Sequence, residues 1–430
     1  MRTSRGSARA VPDAAPPQTP AAVRLSLREH PAFANYWVGR LAATAGTQML
    51  ALWLSWRIYE LTGSAWLLGM AGLIQFLPSL LLFLWAGDLA DQADRRLILL
   101  TVMLLTSLST ATLLVAEALD SISTGLLLGL CGVVGSLRPF QMSAQQSLPP
   151  RLVPALLLPQ AMALSSAGSQ AMFIAGPALA GLLLIWGGTQ VLALCLAAFL
   201  VAAVFYWRAR YGYTPPGARG GRSLREMLSG FAFVRAHPSI LGSITLDLFV
   251  VMLGSVTALL PIYAKDVLAA DTWGLGLLRA APAIGALTLS IALARWGITR
   301  HVGRYMFISV AIYALALVVF GLSNSLLLSV VALMVSGAAD MVSVIIRQSM
   351  VQLDTPDAMR GKVSAINSVC IVGSNQLGEF RAGLSAHWLG SAGAVTVGAI
   401  GSLVVTVLWI RWFPQLWRRQ TLASSPQTHA

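Results

Sequence analysis

Apolar runs long enough to cross a lipid bilayer recur along nearly the whole chain, and they restrict the fold more than any other feature. Only 10% of the residues are charged and 57% are hydrophobic, whereas about 25% of the residues of soluble domains are charged. A membrane-spanning helix needs about 20 apolar residues. We therefore predict an all-α integral membrane protein with twelve transmembrane helices. The runs lie at 35–59, 65–86, 97–116, 122–147, 155–186, 189–207, 239–264, 273–296, 304–323, 325–350, 362–387 and 392–413.

Short sequences repeat at a nearly constant offset, which indicates a duplicated six-helix unit. Arg-x-His-Pro precedes both the first and the seventh run, at 28–31 and 235–238, and Arg138 of the fourth run corresponds to Arg347 of the tenth. We expect two pseudo-symmetric six-helix bundles, a common transporter plan. The predicted boundaries are a flexible tail at 1–33, a first bundle at 34–208, a linker with a short amphipathic helix at 209–238, a second bundle at 239–413 and a tail at 414–430.

The basic residues are divided very unequally between the two sides of the membrane. If both termini lie on one side, twenty-two Lys and Arg residues fall in the segments on that side and only Lys265 falls on the other. Cytosolic segments carry such an excess, so we expect both termini in the cytosol and the protein in the plasma membrane, the bacterial inner membrane. The net charge of +13 then reflects the retention of these segments in the cytosol; membrane lipid is an expected partner and nucleic acid is not.

The motifs of several enzyme classes are absent from the sequence. It contains no G-x-x-x-x-G-K-[ST] phosphate loop, no H-E-x-x-H and no G-x-S-x-G. Cys131, Cys195 and Cys370 lie in apolar runs without metal-site spacing. We expect a monomer without enzymatic activity, metal or cofactor.

The connector between the second and third runs reads GDLADQADRR and carries five charges in ten residues. Gly87 suits a tight exit from the second helix. Asp88 and Asp91 can accept hydrogen bonds from the first N–H groups of the next helix or pair with basic side chains. Arg95 and Arg96 hold the connector in the cytosol.

The spacing Gly-x-Leu-Ala-Asp-x-x-x-Arg-Arg-x-x-Leu in this connector resembles the cytoplasmic signature of the major facilitator superfamily. The matching residues are Gly87, Leu89, Ala90, Asp91, Arg95, Arg96 and Leu99. The stretches WRIYELTGSAWLLG, QSLPPRLVP, FIAGPALAG and TPDAMRGKVSAINS resemble its enterobactin-exporter-like and drug-exporter-like branch.

This resemblance implies the twelve-helix major facilitator fold and alternating access, with a small amphipathic molecule (siderophore or drug-like) as the exported substrate and protons as a partner. It names no individual substrate. Uptake of a polar nutrient and a non-enzymatic role as a membrane sensor or assembly subunit are the alternatives.

Eight acidic or basic residues lie three or more residues inside the ends of the apolar runs. Each costs about 2.5–3.5 kcal/mol at mid-membrane on insertion scales, so they must pair with one another or face a wet cavity. Glu379 and Arg381 point to opposite sides of one helix, so each needs a separate partner. The eight are Arg40, Arg138, Asp247, Arg279, Asp340, Arg347, Glu379 and Arg381.

Polar residues form one stripe on each of three predicted helices, and such stripes favour a water-accessible cavity between helices. The stripes are Arg138, Gln141 and Gln145; Ser336, Asp340, Ser343 and Arg347; and Ser364, Ser368, Asn375 and Glu379.

An acid in such a cavity can load a proton from one side and release it to the other. We expect Asp247, Asp340 or Glu379 to couple inward proton movement to export, with a fixed structural ion pair as the alternative for each. Arg40 and Arg279 lie nearer the ends of their runs, where we expect them to act as anchors.

Two further motifs each resemble part of an antiporter signature. Arg138-x-x-Gln141 is similar to part of a signature of proton-coupled drug antiporters. Gly176, Pro177 and Gly181 partly resemble the glycine-proline signature of the same antiporters; close helix packing with a kink is the alternative.

The connector yields a first prediction. If Asp91 latches the first bundle to the second, Asp91→Asn will reduce transport in membrane vesicles while the amount of inserted protein stays unchanged. Full transport activity in this variant would contradict the latch.

Overall fold

The computed structural model describes the backbone of residues 27–212, 224–296 and 300–422, and every regular element in these ranges is helical. Residues 1–26 of the predicted tail at 1–33, residues 423–430 of the tail at 414–430, and the linker residues 213–223 lie outside the described residues.

Twelve long helices account for most of the described chain. A helix of 20 residues spans about 30 Å, the thickness of the hydrocarbon core. The helices are α1 Pro31–Thr62, α2 Ala65–Gln92, α3 Arg95–Ala118, α4 Thr124–Ser147, α5 Leu158–Leu183, α6 Gly188–Arg208, α7 Pro238–Gly254, α8 Asp271–Trp296, α9 Val302–Leu322, α10 Leu326–Leu353, and the pair α11 and α12 within Asp357–Trp412.

The predicted number of spans agrees with the structure once two features are taken into account. By length and hydropathy, 10 segments of the described chain qualify as membrane spans, one of which covers Met359–Trp412. Gly390 has a φ of 71° and divides this segment into α11 (357–389) and α12 (391–412). Helix α1 has 32 residues but a lower hydropathy, because it carries polar residues such as Arg40 and Gln48.

The helices pack as two halves related by pseudo-symmetry. In the first half (α1–α6), α2 packs on α4, while α1 and α3 pack on α6; in the second half (α7–α12), α8 packs on α10 and α9 packs on α12. Two contacts dominate between the halves, α2 with α11 and α5 with α8. A shift of six helices converts the first of these contacts into the second, as a duplicated unit requires.

Glycines allow the two halves to touch through their backbones. A Cβ on Gly181 of α5 would lie 2.7 Å from the Cα of Gly276 of α8, and a Cβ on Gly383 of α11 would lie 2.6 Å from the Cα of Gly69 of α2. Small residues permit such close approach of membrane helices. All four glycines lie towards the same end of the bundle, the end at which α1 and α5 terminate.

We call this end the Tyr59 end, and the opposite end, where α2 terminates, the Gly87 end. At the Tyr59 end, α7 stops at Gly254 and the chain continues through short turns. These turns, residues 257–267, form the gate segment, which contacts α1 and α2 of the first half. The Tyr59 hydroxyl donates a hydrogen bond to Asp266 across the halves, and the Lys265 ammonium lies 5.9 Å from the Tyr59 ring centroid. The two halves are therefore joined at this end.

Arg381 of α11 donates hydrogen bonds to the backbone carbonyls that the break in α7 leaves without helical partners. Its guanidinium donates to the carbonyl oxygens of Leu253 and Ser255, the latter at 3.1 Å, and to the carbonyl of Ala394 at 3.1 Å. Non-helical backbone at membrane depth is tolerated only where protein or cavity water satisfies its polar groups. Arg381 supplies those donors.

A buried ion pair lies inside the second half. Arg347 of α10 pairs with Asp247 of α7, and their side chains are only 2% and 7% exposed. The pair accounts for two of the eight charges that the sequence places in the membrane, and it ties α7 to α10.

The charged connector is shorter than its sequence suggests. Helix α2 continues through Gly87 to Gln92, and only Ala93 and Asp94 separate it from α3. The N-cap of α3 is Asp94, which accepts from the Arg96 N–H at 2.9 Å, so the cap role expected of Asp88 and Asp91 belongs to Asp94. The Asp91 side chain lies outside the described part of the chain.

Tyr211, which follows α6, also donates to Asp94, at 3.0 Å. Burial and this hydrogen bond raise the pKa of Tyr211 to about 12, so its hydroxyl stays protonated near neutral pH. The contact fixes the start of the linker to the first half.

Exposed tryptophans mark both ends of the bundle, as they do at membrane–water interfaces. Trp66, Trp186, Trp273 and Trp388 lie towards the Tyr59 end, and Trp85, Trp207 and Trp412 towards the Gly87 end.

The buried ion pair leads to a stability prediction. Asp247→Asn leaves the Arg347 guanidinium buried without its partner, so we expect the free energy of unfolding to fall by about 3–5 kcal/mol. Denaturant unfolding of the purified protein in detergent measures this loss. Combining Asp247→Asn with Arg347→Gln will cost less than the sum of the two single changes.

The matched control is Glu60→Gln, which removes the 41% exposed partner of Arg57 and will change the free energy by about 1 kcal/mol or less. Equal losses in Glu60→Gln and Asp247→Asn would contradict a structural role for the buried pair.

Candidate functional site

A central cavity of about 410 Å³ lies between the two halves. Helices α1, α2, α4 and α5 line it from the first half, and the gate segment, α8 and α11 line it from the second. Its volume is within the 300–1,000 Å³ range of small-molecule sites. The ionisable and amide side chains in its wall are Gln48, Gln75, Arg138, Gln141, Arg279, Asn375, Gln376 and Glu379.

Arg138 enters the cavity from α4. One turn earlier, Gly135 brings α4 against α2, since a Cβ there would lie 2.6 Å from the Cα of Gln75. With the Gln376 amide oriented so that both of its ends find partners, the Arg138 Nη1 donates to Gln376 Oε1 of α11 at 3.1 Å, and the Gln376 amide nitrogen donates to the Gly72 carbonyl of α2 at 3.2 Å. This chain of hydrogen bonds joins α4, α11 and α2 across the interface. The Arg138 side chain remains exposed to the cavity.

Arg279 enters the cavity from α8, and here the sequence-based expectation of an anchor was wrong. Helix α8 begins at Asp271, so Arg279 lies eight residues, about 12 Å, along the helix. Its Nη1 donates to the Ser55 hydroxyl at 3.1 Å and to the Ala51 carbonyl at 3.3 Å, both on α1. Arg279 therefore bridges the halves and lines the cavity wall.

Glu379 is the one carboxylate among the described residues that line the cavity. It interacts electrostatically with Arg138 and Arg279, yet it forms no hydrogen bond or ion pair within 4.0 Å with a described residue. Its Cβ lies close to Gly72 of α2, so the carboxylate stands at the interface between the halves.

The other predicted coupling residues lie outside this cavity. Asp247 and Arg347 pair inside the second half, and Arg381 donates hydrogen bonds to the backbone carbonyls at the break in α7. Asp340 is half-buried on α10, within electrostatic reach of Tyr313 of α9. It makes no hydrogen bond or ion pair with any residue that the structure describes.

The three polar stripes therefore do not line one common cavity. Arg138 and Gln141 of α4 face Asn375 and Glu379 of α11 in one cavity, whereas the α10 stripe faces the interior of the second half. Gln145 instead donates to the Tyr206 hydroxyl at 3.2 Å. One consequence is that only two of the three stripes can meet a substrate here.

A second cavity of about 270 Å³ continues along α2, α4 and α11 towards the Gly87 end. Ser364 and Ser368 line it from α11, opposite Gly87 on α2 and Gln146 on α4. These positions are about one to three turns beyond the central cavity on the same three helices.

The glycine-proline motif of α5 lies at helix contacts. A Cβ on Gly176 would lie 2.8 Å from the Gln48 Cβ of α1, and Gly181 meets α8; Pro177 is buried between them. Arg40 likewise makes contacts within the first half, donating to Ser169 and Tyr36 at 3.1 Å each.

Several cavity residues were missed by the sequence analysis. Gln48 and Gln75 stand alone in apolar stretches and Gln376 adjoins Asn375; each was a detectable signal because an amide in a membrane requires a partner. Thr257 enters the wall only because α7 is broken, which no periodicity reveals.

Comparison with known proteins identifies a family and a relative. A family profile described as transmembrane secretion effector, of the major facilitator type, matches residues 24–430. The enterobactin exporter of Shigella boydii serotype 4 (strain Sb227) is 25% identical over 403 residues, which cover 92% of this chain and 95% of that protein.

The fold is similar to two solved transporters. A mutant of the nucleoside transporter NupG has a TM-score of 0.66 at 13% identity, covering 88% of this chain and 100% of that one. A bacterial homologue of the human lysosomal transporter Spinster, inward-facing and unoccupied, has a TM-score of 0.64 at 15% identity, covering 90% and 95%. These likenesses confirm the predicted fold class. The chain belongs to the transmembrane secretion effector family of major facilitator superfamily transporters.

Proposed function

We propose that this transporter exports a small amphipathic molecule, siderophore or drug-like, from the cytosol by alternating access. The observation that carries the proposal is the central cavity, which both halves line and which their contacts close at the Tyr59 end. A substrate site at such an interface becomes accessible to the other side when the halves rock. The enterobactin exporter relative supports export rather than uptake.

The orientation follows from the charges at the two ends. The Gly87 end carries the arginines of the connectors, whereas Lys265 at the Tyr59 end lies beside Asp266. Positive residues favour the cytosolic side, so we place the Gly87 end and both termini in the cytosol of a bacterium, with the protein in the inner membrane. The second cavity then lies on the cytosolic approach to the site.

The cavity wall suits an amphipathic substrate. Leu54, Ile58, Leu68 and Phe173 supply apolar surface beside the amides and charges. An apolar wall with a few polar groups that fix orientation is typical of small-molecule sites.

For proton coupling, we select Asp340 from the three acids expected from the sequence. Asp247 is held in an ion pair, and Glu379 faces two arginines in the substrate cavity. Asp340 has no cationic partner among the described residues, and an unpaired carboxylate in the membrane costs about 2.5–3.5 kcal/mol. Taking up a proton removes that cost, so a proton is the natural counter-charge for this acid.

A panel of acid variants tests this assignment. In proteoliposomes, Asp340→Asn will abolish substrate-driven proton flux, because an amide cannot exchange the proton. Glu379→Gln will keep the coupling, and Asp247→Asn will chiefly lower the yield of folded protein. Asp271→Asn, at an exposed position, is the matched control. Wild-type coupling in Asp340→Asn would overturn the assignment.

A cross-linking experiment tests alternating access itself. In a Tyr59→Cys/Asp266→Cys protein, a short bifunctional thiol reagent will hold the Tyr59 end closed and reduce efflux at least tenfold. Each single cysteine variant and the parent protein control for the native thiols, of which Cys131 and Cys195 are buried. Undiminished efflux after complete cross-linking would contradict the proposed cycle.

A further inference from the structure

Two guanidinium groups from opposite halves face the central cavity. Arg138 belongs to α4 of the first half, and Arg279 belongs to α8 of the second. Both interact electrostatically with one acid, Glu379. The described ionisable side chains in the wall therefore comprise two cations and one anion, and the remaining polar wall residues are neutral amides and hydroxyls.

Most hydrogen-bond donors of these arginines have no acceptor among the residues that the structure describes. A guanidinium carries five N–H donors. Arg138 makes one side-chain hydrogen bond, to Gln376, and Arg279 donates through Nη1 alone, to Ser55 and Ala51. Neither arginine has an ion pair within 4.0 Å with a described residue. The donors without such partners face the cavity.

The other arginines of the bundle interior show the contrast. Arg347 is paired with Asp247, and Arg381 donates to three backbone carbonyls and to the Ser385 hydroxyl. Those two guanidinium groups are committed to the fold. Arg138 and Arg279 retain charge and donors for a ligand, and an arginine fork matches carboxylate, sulfonate or phenolate oxygens.

We infer that the central cavity selects amphipathic anions, whose negative group Arg138 and Arg279 hold between the two halves. Glu379 is the competing charge: its carboxylate offsets part of the positive charge of the two guanidinium groups at longer range, and it opposes the anion by like-charge repulsion. The inference rests on the proposed transport function, and it specifies the substrate class of the same site.

Binding of two dyes with a common xanthene framework and opposite charge tests the inference. Fluorescence polarisation measures the dissociation constants of fluorescein, an anion, and rhodamine 123, a cation, for the purified protein in nanodiscs. We expect fluorescein to bind at least tenfold more tightly. Arg138→Gln and Arg279→Gln will each weaken fluorescein binding about tenfold or more, as loss of a charge-assisted hydrogen bond does. Glu379→Gln will strengthen it.

Two further variants separate binding from folding. Arg138→Lys keeps the charge and will retain part of the fluorescein affinity that Arg138→Gln loses. Arg295→Gln, at an exposed arginine outside the cavity, will bind as the parent protein does. Equal binding of the two dyes, fluorescein binding that persists in both Arg→Gln variants, or no fluorescein binding by the parent protein would each overturn the inference.

The binding and transport experiments test separate claims, so one claim can be refuted while the other stands. Anion binding with the expected variant pattern but no efflux from proteoliposomes would refute the proposed function and leave the charge selectivity standing. Efflux of a cationic compound without anion binding would support the transport function and refute the selectivity.

Discussion

Charge in a low-dielectric environment is the constraint on which this structure depends. Each ionisable side chain within the spans must find a partner, a carbonyl or water, because insertion costs several kcal/mol otherwise. Asp247 and Arg347 solve the problem by pairing, and Arg381 solves it by binding carbonyls that the break in α7 leaves free. These two solutions fix the core of the second half. The first half contains no comparable ion pair among its described mid-membrane residues, and Arg40 there binds hydroxyls instead.

The same constraint distinguishes structural from functional charges. A guanidinium held by a buried ion pair or by backbone carbonyls within one half stabilises the fold, whereas Arg138 and Arg279 keep donors directed at a cavity. Their position at the interface also matters. All three hydrogen bonds that they make with described neighbours cross between the halves, so any movement of the halves changes the surroundings of both cations at once. If these cations hold the substrate anion, as we propose, its affinity and the conformation of the transporter are linked.

Much of the fold could be predicted from the sequence because its signals are local. The apolar runs, the positive-charge asymmetry and the repeated Arg-x-His-Pro indicated twelve spans in two halves, and the structural likenesses agree. The site was only partly predictable. Glu379 and Arg138 stood out as charges on polar stripes, but Arg279 resembled an anchor, since depth along a helix does not reveal what the side chain faces. Asp94 could not be preferred over Asp88 or Asp91 as a cap, because all three lie within about two turns.

The break in α7 has a mechanical consequence. Residues up to Gly254 carry Asp247 and are held in the core by its ion pair, whereas the gate segment touches the other half through Asp266 and Tyr59. No continuous helical ladder of hydrogen bonds joins these two parts of the chain. Tension at the Tyr59 contact is therefore not transmitted along a rigid axis to the buried pair. Along α7, the buried pair is therefore mechanically separated from the Tyr59 contact, and this part of the core can stay intact when the gate segment moves.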